Sequence, residues 1–207
     1  GMTPIKALSM ILVALTITGT VAVADDYELL SSVTVSPQAG APTYGASGTV
    51  TYTVTVKRRS GTTRAFSATL SQTATLPAGV TVVSFVPPTV DFSSTDVTRT
   101  STLTMSTAAT ASGGSTSIKV KARTSTESVS GYGSLVVGKT PLTVIANDAS
   151  KTYDGWEFYG GNGATYVGFV LGETPAVLSG TLTFDSNDTV DAGAHPLTPG
   201  GLKSKNY

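Results

Sequence analysis

Between residues 49 and 56 the side chains alternate without a break. Thr49, Thr51, Thr53 and Thr55 fall on one side, and Val50, Tyr52, Val54 and Val56 on the other. An extended strand turns successive side chains to opposite faces, so a period of two gathers every apolar group on one face. On a helix the same residues would be spread around the axis. The segment therefore predicts a half-buried strand of an antiparallel sheet, and such a face must be covered by a second layer. Ile118, Val120 and Ala122 alternate with Lys119, Lys121 and Arg123 in the same way. Further strands are expected at 32–36, 63–70, 80–86, 99–105 and 133–137. They are separated by turn chemistry at Pro37, Ser60-Gly61, Pro77 to Gly79, Pro87-Pro88, Gly113-Gly114 and Gly131. With 36 Thr and 24 Ser, about 29% of the 207 residues, helix formers are scarce and the β-branched hydroxyl residue dominates. The expected fold class is all-β, with an antiparallel β-sandwich over residues 25–138.

Several function classes are excluded by what the chain lacks. There is no Cys, so neither a disulfide framework nor a thiolate metal site can form. A single His, His195, rules out a multi-histidine metal centre. Neither a phosphate-binding glycine loop nor a Gly-x-Ser-x-Gly nucleophile turn occurs, and carboxylates near a turn such as Asp154 and Glu157 are ordinary turn residues. No enzyme activity, cofactor or metal is expected. Thirteen basic residues cancel thirteen acidic ones, which is not the balance of a nucleic-acid binder. The 40% apolar content excludes a disordered chain. The charge is segregated: residues 1–47 carry −2 (one basic, three acidic), 48–139 carry +6 (nine, three) and 140–207 carry −4 (three, seven). The middle and the end of the chain should attract one another.

Residues 1–24 form an apolar N-terminal segment. Ala7 to Ala24 is an uncharged run, preceded by Lys6 and followed by Ala22-Val23-Ala24 and then Asp25. Short basic start, apolar stretch and small-x-small site are the parts of a secretory signal peptide. Two other readings stay open. Met2 to Ile5 before an apolar run resembles the mature start of archaeal-type pilins, and Ala14–Val23 reads equally as a strand. Thr16, Thr18, Gly19 and Thr20 make the run a poor permanent membrane span.

Gly48–Val56, Leu76–Val80, Ile118–Ala122 and Gly133–Val137 together resemble bacterial Ig-like modules, which read "GTVTYTVTV", "LPAGVTV" and "VKV" in this order. The resemblance covers about residues 30–138 and implies an Ig-like sandwich in a secreted or cell-surface protein, not an activity. Two basic groups stand on it. Lys57, Arg58 and Arg59 lie with Arg64 at a hairpin, and Lys119, Lys121 and Arg123 form a stripe. They read either as a polyanion-binding face, for acidic surface polysaccharide or extracellular DNA, or as a solvated face whose charges discourage edge aggregation. No interleaved aromatics support base stacking, so no nucleic-acid specificity is expected.

From Leu142 to Gly155 the sequence resembles the opening of the YDG/MBG repeat family, "LTVTANDASKTYDG". Later landmarks follow in the family's order. Tyr159–Phe169 is similar to "YSGGNGVTYSGF", Gly172–Thr174 with Val177–Leu182 to "NGETASVLSGTL", Asp191–Gly193 to "NAGTY", and Leu197–Tyr207 to "ITPSGLSSGNY". The resemblance implies a second module over 139–207, small, mostly β, with a β-grasp-like curl, of the kind found in adhesin-like bacterial surface proteins. It carries over no catalytic residue. The family's final strand, "GTLTV", has no counterpart before Tyr207, so the module is expected to be truncated by one strand. Val13–Ile17 has that rhythm and offers a donor strand to a neighbouring copy.

In this second module Tyr153, Trp156 and Tyr159 form an aromatic cluster with Phe158. They read as a platform for a sugar ring, or as alternate members of a small core. Tyr153-Asp154-Gly155 itself is turn chemistry, with Tyr153 expected to bury its ring. Asp185, Asn187, Asp188 and Asp191 are oxygen ligands of the type calcium takes, without EF-hand spacing, and read as a solvated turn. Asn187-Asp188-Thr189 is a glycosylation sequon. His195, before Pro196, reads as a surface or capping residue.

The function expected is a non-enzymatic, extracellular structural or adhesion module pair of a larger surface protein. Its partners would be other proteins, neighbouring copies or surface polysaccharide. The alternatives are a subunit of an extracellular filament and a carbohydrate-binding accessory module. With neither disulfide nor required metal, thermal unfolding should be unchanged by a thiol reductant and by EDTA. A melting temperature lowered by EDTA would show that the segment from Asp185 to Asp191 holds an ion.

Overall fold

A computed structural model describes residues 28–186 and 189–207. The apolar segment 1–24, including Val13–Ile17, lies outside the described residues, as do Asn187 and Asp188. The fold is nearly all β, with no helix longer than a single 3-10 turn, Pro175–Val177, among the described residues. No described helix is long and apolar enough to cross a membrane.

The alternating segments pair into two four-stranded antiparallel sheets. The first has the order β1-β2-β6-β4, with β1 at Leu30–Val35, β2 at Gly48–Arg58, β6 at Thr98–Thr107 and β4 at Val80–Val86. The second has the order β5-β3-β7-β8, with β5 at Thr89–Phe92, β3 at Phe66–Gln72, β7 at Gly114–Arg123 and β8 at Ser128–Val137. Without β5, this is the A-B-E-D and C-F-G strand order of an Ig-like sandwich. Strand β5 was not foreseen. Its four residues follow Pro87-Pro88 directly, and the prolines signal only a turn. Packing decides it instead: Val90 and Phe92 are buried, and Phe92 stacks on Phe66 at 4.6 Å.

The alternating faces meet between the sheets. Val50, Tyr52, Val54 and Val56 of β2, Leu103 and Met105 of β6, and Ile118, Val120 and Ala122 of β7 are all inside one cluster with Leu30, Phe92 and Leu135. Each large member contributes about 1.5–3 kcal/mol of burial. The Tyr52 hydroxyl, carried into this layer, donates to the Ser134 carbonyl at 3.1 Å.

One side of the sandwich is closed. Strand β1 lies against β8, and the Glu127 carboxylate in the β7–β8 turn accepts from the backbone amides of Leu29 and Leu30. Beyond β1, the Gln38 side-chain amide takes the place of a strand: it accepts from Val136 N at 2.7 Å and donates to Val136 O at 3.0 Å. The approach is so close that a Cβ on Gly131 would sit 2.2 Å from the Val33 carbonyl oxygen. Gly131 and Gly133 are the inward positions of β8 that face β1, and a side chain at Gly131 would force the backbones apart.

The C-terminal module is two separate antiparallel ladders rather than one curled sheet. Strand β9, Thr143–Ala146, pairs with β10, Ala164–Val167; β11, Ser179–Asp185, pairs with β12, Thr198–Lys203. No described residue from 138 to 207 is fully buried. A module this thin is held by its junction with the sandwich. There the Glu173 carboxylate accepts from two phenols, Tyr44 of the sandwich at 2.7 Å and Tyr207 of the module. The two rings meet edge to face at 5.7 Å, and Phe169 packs on Tyr207 at 5.3 Å. Asn206 completes the seam: its carbonyl accepts from Thr140 N at 2.8 Å and its side chain from Gly113 N at 3.1 Å. The junction is built of one carboxylate, hydroxyls, amides and rings, whereas the ion pairs Glu28–Arg59, Asp96–Arg99 and Lys151–Asp154 each lie within one module.

Two predictions follow from this packing. Gly131→Ala should destabilise the chain by about 1–3 kcal/mol in urea unfolding, the usual cost of overpacking, while Ser130→Ala on the outer face should be near neutral. The junction should also open in alkali. The hydrogen bond to Glu173 raises the Tyr44 hydroxyl above its ordinary value of 10.0, and burial, then the bond to Glu173, does the same for Tyr207. Groups whose folded pKa is raised stabilise fully below the unfolded value and cease to do so as pH climbs through the raised one. Small-angle scattering should thus give one shape from neutral pH to about pH 10 and a more extended one above it. The double variant Tyr44→Phe, Tyr207→Phe should be extended already at neutral pH.

Candidate functional site

Two loops of the C-terminal module face each other across a cleft of about 570 Å³. One follows β9 and runs from Asn147 to Phe158; the other, between β11 and β12, contributes Ser186 and residues within 189–197. They are stitched together at one end, where Ser186 Oγ donates to the Phe158 carbonyl at 2.8 Å and Phe158 N donates to Thr189 O at 3.3 Å.

The aromatic wall of the cleft is set by the turn at Asp154-Gly155. Asp154 Oδ1 accepts from the backbone amide of Trp156 at 3.0 Å, and Gly155 takes φ of 78°, a conformation that strains any residue with a Cβ. Lys151 clamps the same turn. Its ammonium donates to the carbonyls of Trp156 and Glu157 at 3.2 and 3.1 Å and pairs with Asp154 at 2.8 Å. The hydrogen bond from Lys151, then the Trp156 amide, holds the Asp154 carboxyl below its usual range. The result is a turn that projects Trp156, 77% exposed, and Tyr153, 67% exposed, beside the cleft. Tyr153 was expected to bury its ring; with no buried layer in this module there is nowhere for it to go. Tyr159 is also exposed but lies outside the cleft lining, its hydroxyl donating to Glu157. Phe158 is half-buried. Of the expected aromatic cluster, Tyr153 and Trp156 are brought together with the polar groups of Asn147, Asp148, Asp191 and His195. His195 Nε2 is 2.9 Å from the Asp191 carbonyl oxygen, so the ring braces its own turn.

Residues 142–207 match the MBG domain (YGX type). The ordered landmarks from Leu142 to Tyr207 had implied this, and the matched stretch starts just past the last sandwich strand. The C-terminal module is thus a β-rich MBG module, and the cleft lies wholly within it. No curated protein matches the chain.

The basic residues of the sandwich divide into two sets that do not meet. Lys57 is exposed on the outer face of the first sheet, and Arg59 pairs with Glu28. Arg58 is not on that surface. It is 5% exposed, lies over the rings of Phe66 and Phe92 at 4.9 and 5.5 Å, and donates to the carbonyls of Thr62, Arg64 and Ser93. It closes the end of the core and is unavailable to a polyanion. Lys119, Lys121 and Arg123 stand in a row along β7 on the outer face of the other sheet. Among the described residues no group of three or more His, Asp or Glu comes together as a metal site; Asp188 and Asn187 of the proposed oxygen-ligand turn lie outside them.

Three contributors were missed in the sequence. Tyr44, Glu173 and Tyr207, which set how the MBG module sits on the sandwich, are far apart in the chain, and the landmarks that contain Glu173 and Tyr207 do not show that the three meet. Tyr132 was missed for a related reason: only the strand register puts it opposite Lys119.

Proposed function

We propose that the chain is a non-enzymatic pair of modules from an extracellular, adhesin-like surface protein. The observation that carries this reading is the MBG match at 142–207 on a module that is docked, through Glu173 and its two tyrosines, onto a β-sandwich. A fixed junction makes the two modules a stiff unit, suited to hold a contact surface away from its base. The reading is non-enzymatic because the titratable groups of the cleft are engaged in shaping turns: Lys151 and Asp154 hold the aromatic turn, and His195 braces Asp191. Antibodies raised against the purified chain should label intact, unpermeabilised cells of the source organism, and external protease should remove the signal. Labelling that appears only after permeabilisation would sink the proposal.

A second reading, carbohydrate contact at the cleft, is favoured by one observation. Trp156 and Tyr153 expose large aromatic surfaces beside hydrogen-bonding side chains, the combination on which a sugar ring stacks while its hydroxyls are bound. Trp156→Ala should then abolish glycan-array signals without changing thermal stability, since the side chain is mostly in solvent. Array signals that survive the substitution would exclude the cleft.

A further inference from the structure

The outer face of the sheet β5-β3-β7-β8 carries an arrangement that its fold does not require. Lys119, Lys121 and Arg123 project from alternate positions of β7, about 6.8 Å apart on an antiparallel strand. Strand β7 is an interior strand, paired on one side with β3 and on the other with β8. Charges there do not guard a free edge, the role that lysines play on outer strands. Three like charges in one row also repel each other. The side chains of Lys121 and Arg123 have no ion pair or hydrogen bond among the described residues to offset this. The acidic side chains on neighbouring strands are engaged elsewhere: Asp91 of β5 accepts from the Ser67 hydroxyl, and Glu127 in the β7–β8 turn accepts from the amides of Leu29 and Leu30.

The flanks of the row are as specific as the row itself. On the β3 side Ser71 pairs with Lys121 and Thr69 with Arg123; on the β8 side Ser130 pairs with Lys121 and Ser128 with Arg123. A line of cations thus runs between two lines of short hydroxyls. At one end Tyr132 stands opposite Lys119, is 65% exposed, and holds its ring centroid 5.7 Å from the ammonium. An exposed ring beside an ammonium that has no carboxylate partner among the described residues offers an apolar face for a sugar and a cation for that sugar's acid group.

We infer that this face binds a linear acidic polysaccharide, one bearing carboxylates along its length. Tyr132 stacks on a sugar ring, Lys119, Lys121 and Arg123 take successive acid groups, and the flanking hydroxyls meet sugar hydroxyls. The long, flexible cationic side chains tolerate a ligand whose charge spacing differs from the strand repeat. A nucleic acid fits less well, because one aromatic ring at one end gives no stacking path for successive bases. The surface lies on the sandwich, so it stands apart from the MBG cleft and from any reading of that cleft.

The test is binding of the full chain to immobilised polygalacturonate at low salt, with neutral dextran and oligo-dT as competing probes. Binding to polygalacturonate should weaken on the order of tenfold between about 50 and about 200 mM salt, as contacts that release counterions do. Lys121→Gln and Arg123→Gln should each lower affinity about fivefold, the worth of one cation at an anionic surface. Lys57→Gln makes the same change in net charge on the opposite face and should have little effect. Tyr132→Ala should weaken polygalacturonate binding several-fold at unchanged charge. All four side chains are on the surface, and far-ultraviolet circular dichroism confirms that each variant is folded. Absence of binding at low salt overturns the proposal. So does an equal loss in Lys57→Gln, which would mean bulk charge attraction, or an unaffected Tyr132→Ala, which would mean simple ion exchange. Tighter binding of oligo-dT would make the face a nucleic-acid surface instead.

Discussion

Apolar contact between the two sheets is the interaction from which everything else is suspended. Val50, Tyr52, Val54 and Val56 pack in one cluster with Leu103, Ile118, Val120 and Leu135, and the fully buried side chains of the described chain all belong to the sandwich. The MBG module contributes none. Its two ladders supply backbone hydrogen bonds but no layer from which water is excluded, and two-stranded ribbons are marginal alone. The module therefore takes its placement from the sandwich, through Glu173, Tyr44 and Tyr207. The loops that shape its cleft are local constructions, held by Asp154, Lys151 and Ser186 rather than by a core beneath them.

This division explains where surface chemistry can be placed. The sandwich offers rigid, flat faces on which side chains are set by strand register, so a row such as Lys119, Lys121 and Arg123 keeps its spacing. The MBG module offers the opposite, a concave site between loops with large aromatic side chains left in solvent. A chain that joins one of each presents a flat basic surface and a concave cleft lined by Asp148, Asp154 and Asp191 with a single lysine, Lys151. Chemistry on the two surfaces is separable, because no residue belongs to both.

Much of the fold was legible because alternation is a geometric signal. Thr49 to Val56 specified a strand, its buried face and, with Ile118 to Arg123, the need for two layers. The same signal, followed further, also held the answer for Arg58. Even-numbered residues of β2 point inward, and Arg58 continues that parity after Val56, yet its charge invited placement on the surface. The MBG module was legible for another reason, the order of its landmarks, although that order said nothing about burial. Tyr153 shows the difference: a tyrosine in a turn motif reads as a core ring only if a core exists. Contacts such as Tyr44 to Glu173, 129 residues apart, leave no local trace, since each partner is an ordinary residue until the fold brings them together. The four-residue strand β5 was invisible because two prolines precede it and its reason for being lies in Phe66 and Phe92.

The glycines of β8 have a consequence for how copies of this protein can meet. Because Gly131 and Gly133 let β1 and β8 seal against each other, the sandwich keeps one open flank, formed by β4 and β5. That flank carries Val83 and Val86 in solvent, the ingredients of unwanted strand addition between crowded molecules. It is also where the chain is least regular: β4 slips register between Val82 and Ser84, and Pro87-Pro88 follow at once, with no amide hydrogens to offer. Sealing one flank with glycine and breaking the rhythm of the other leaves no long, straight template for a neighbour. A second copy is thereby denied a regular edge on which to add a strand, while the broad faces of the sandwich stay free.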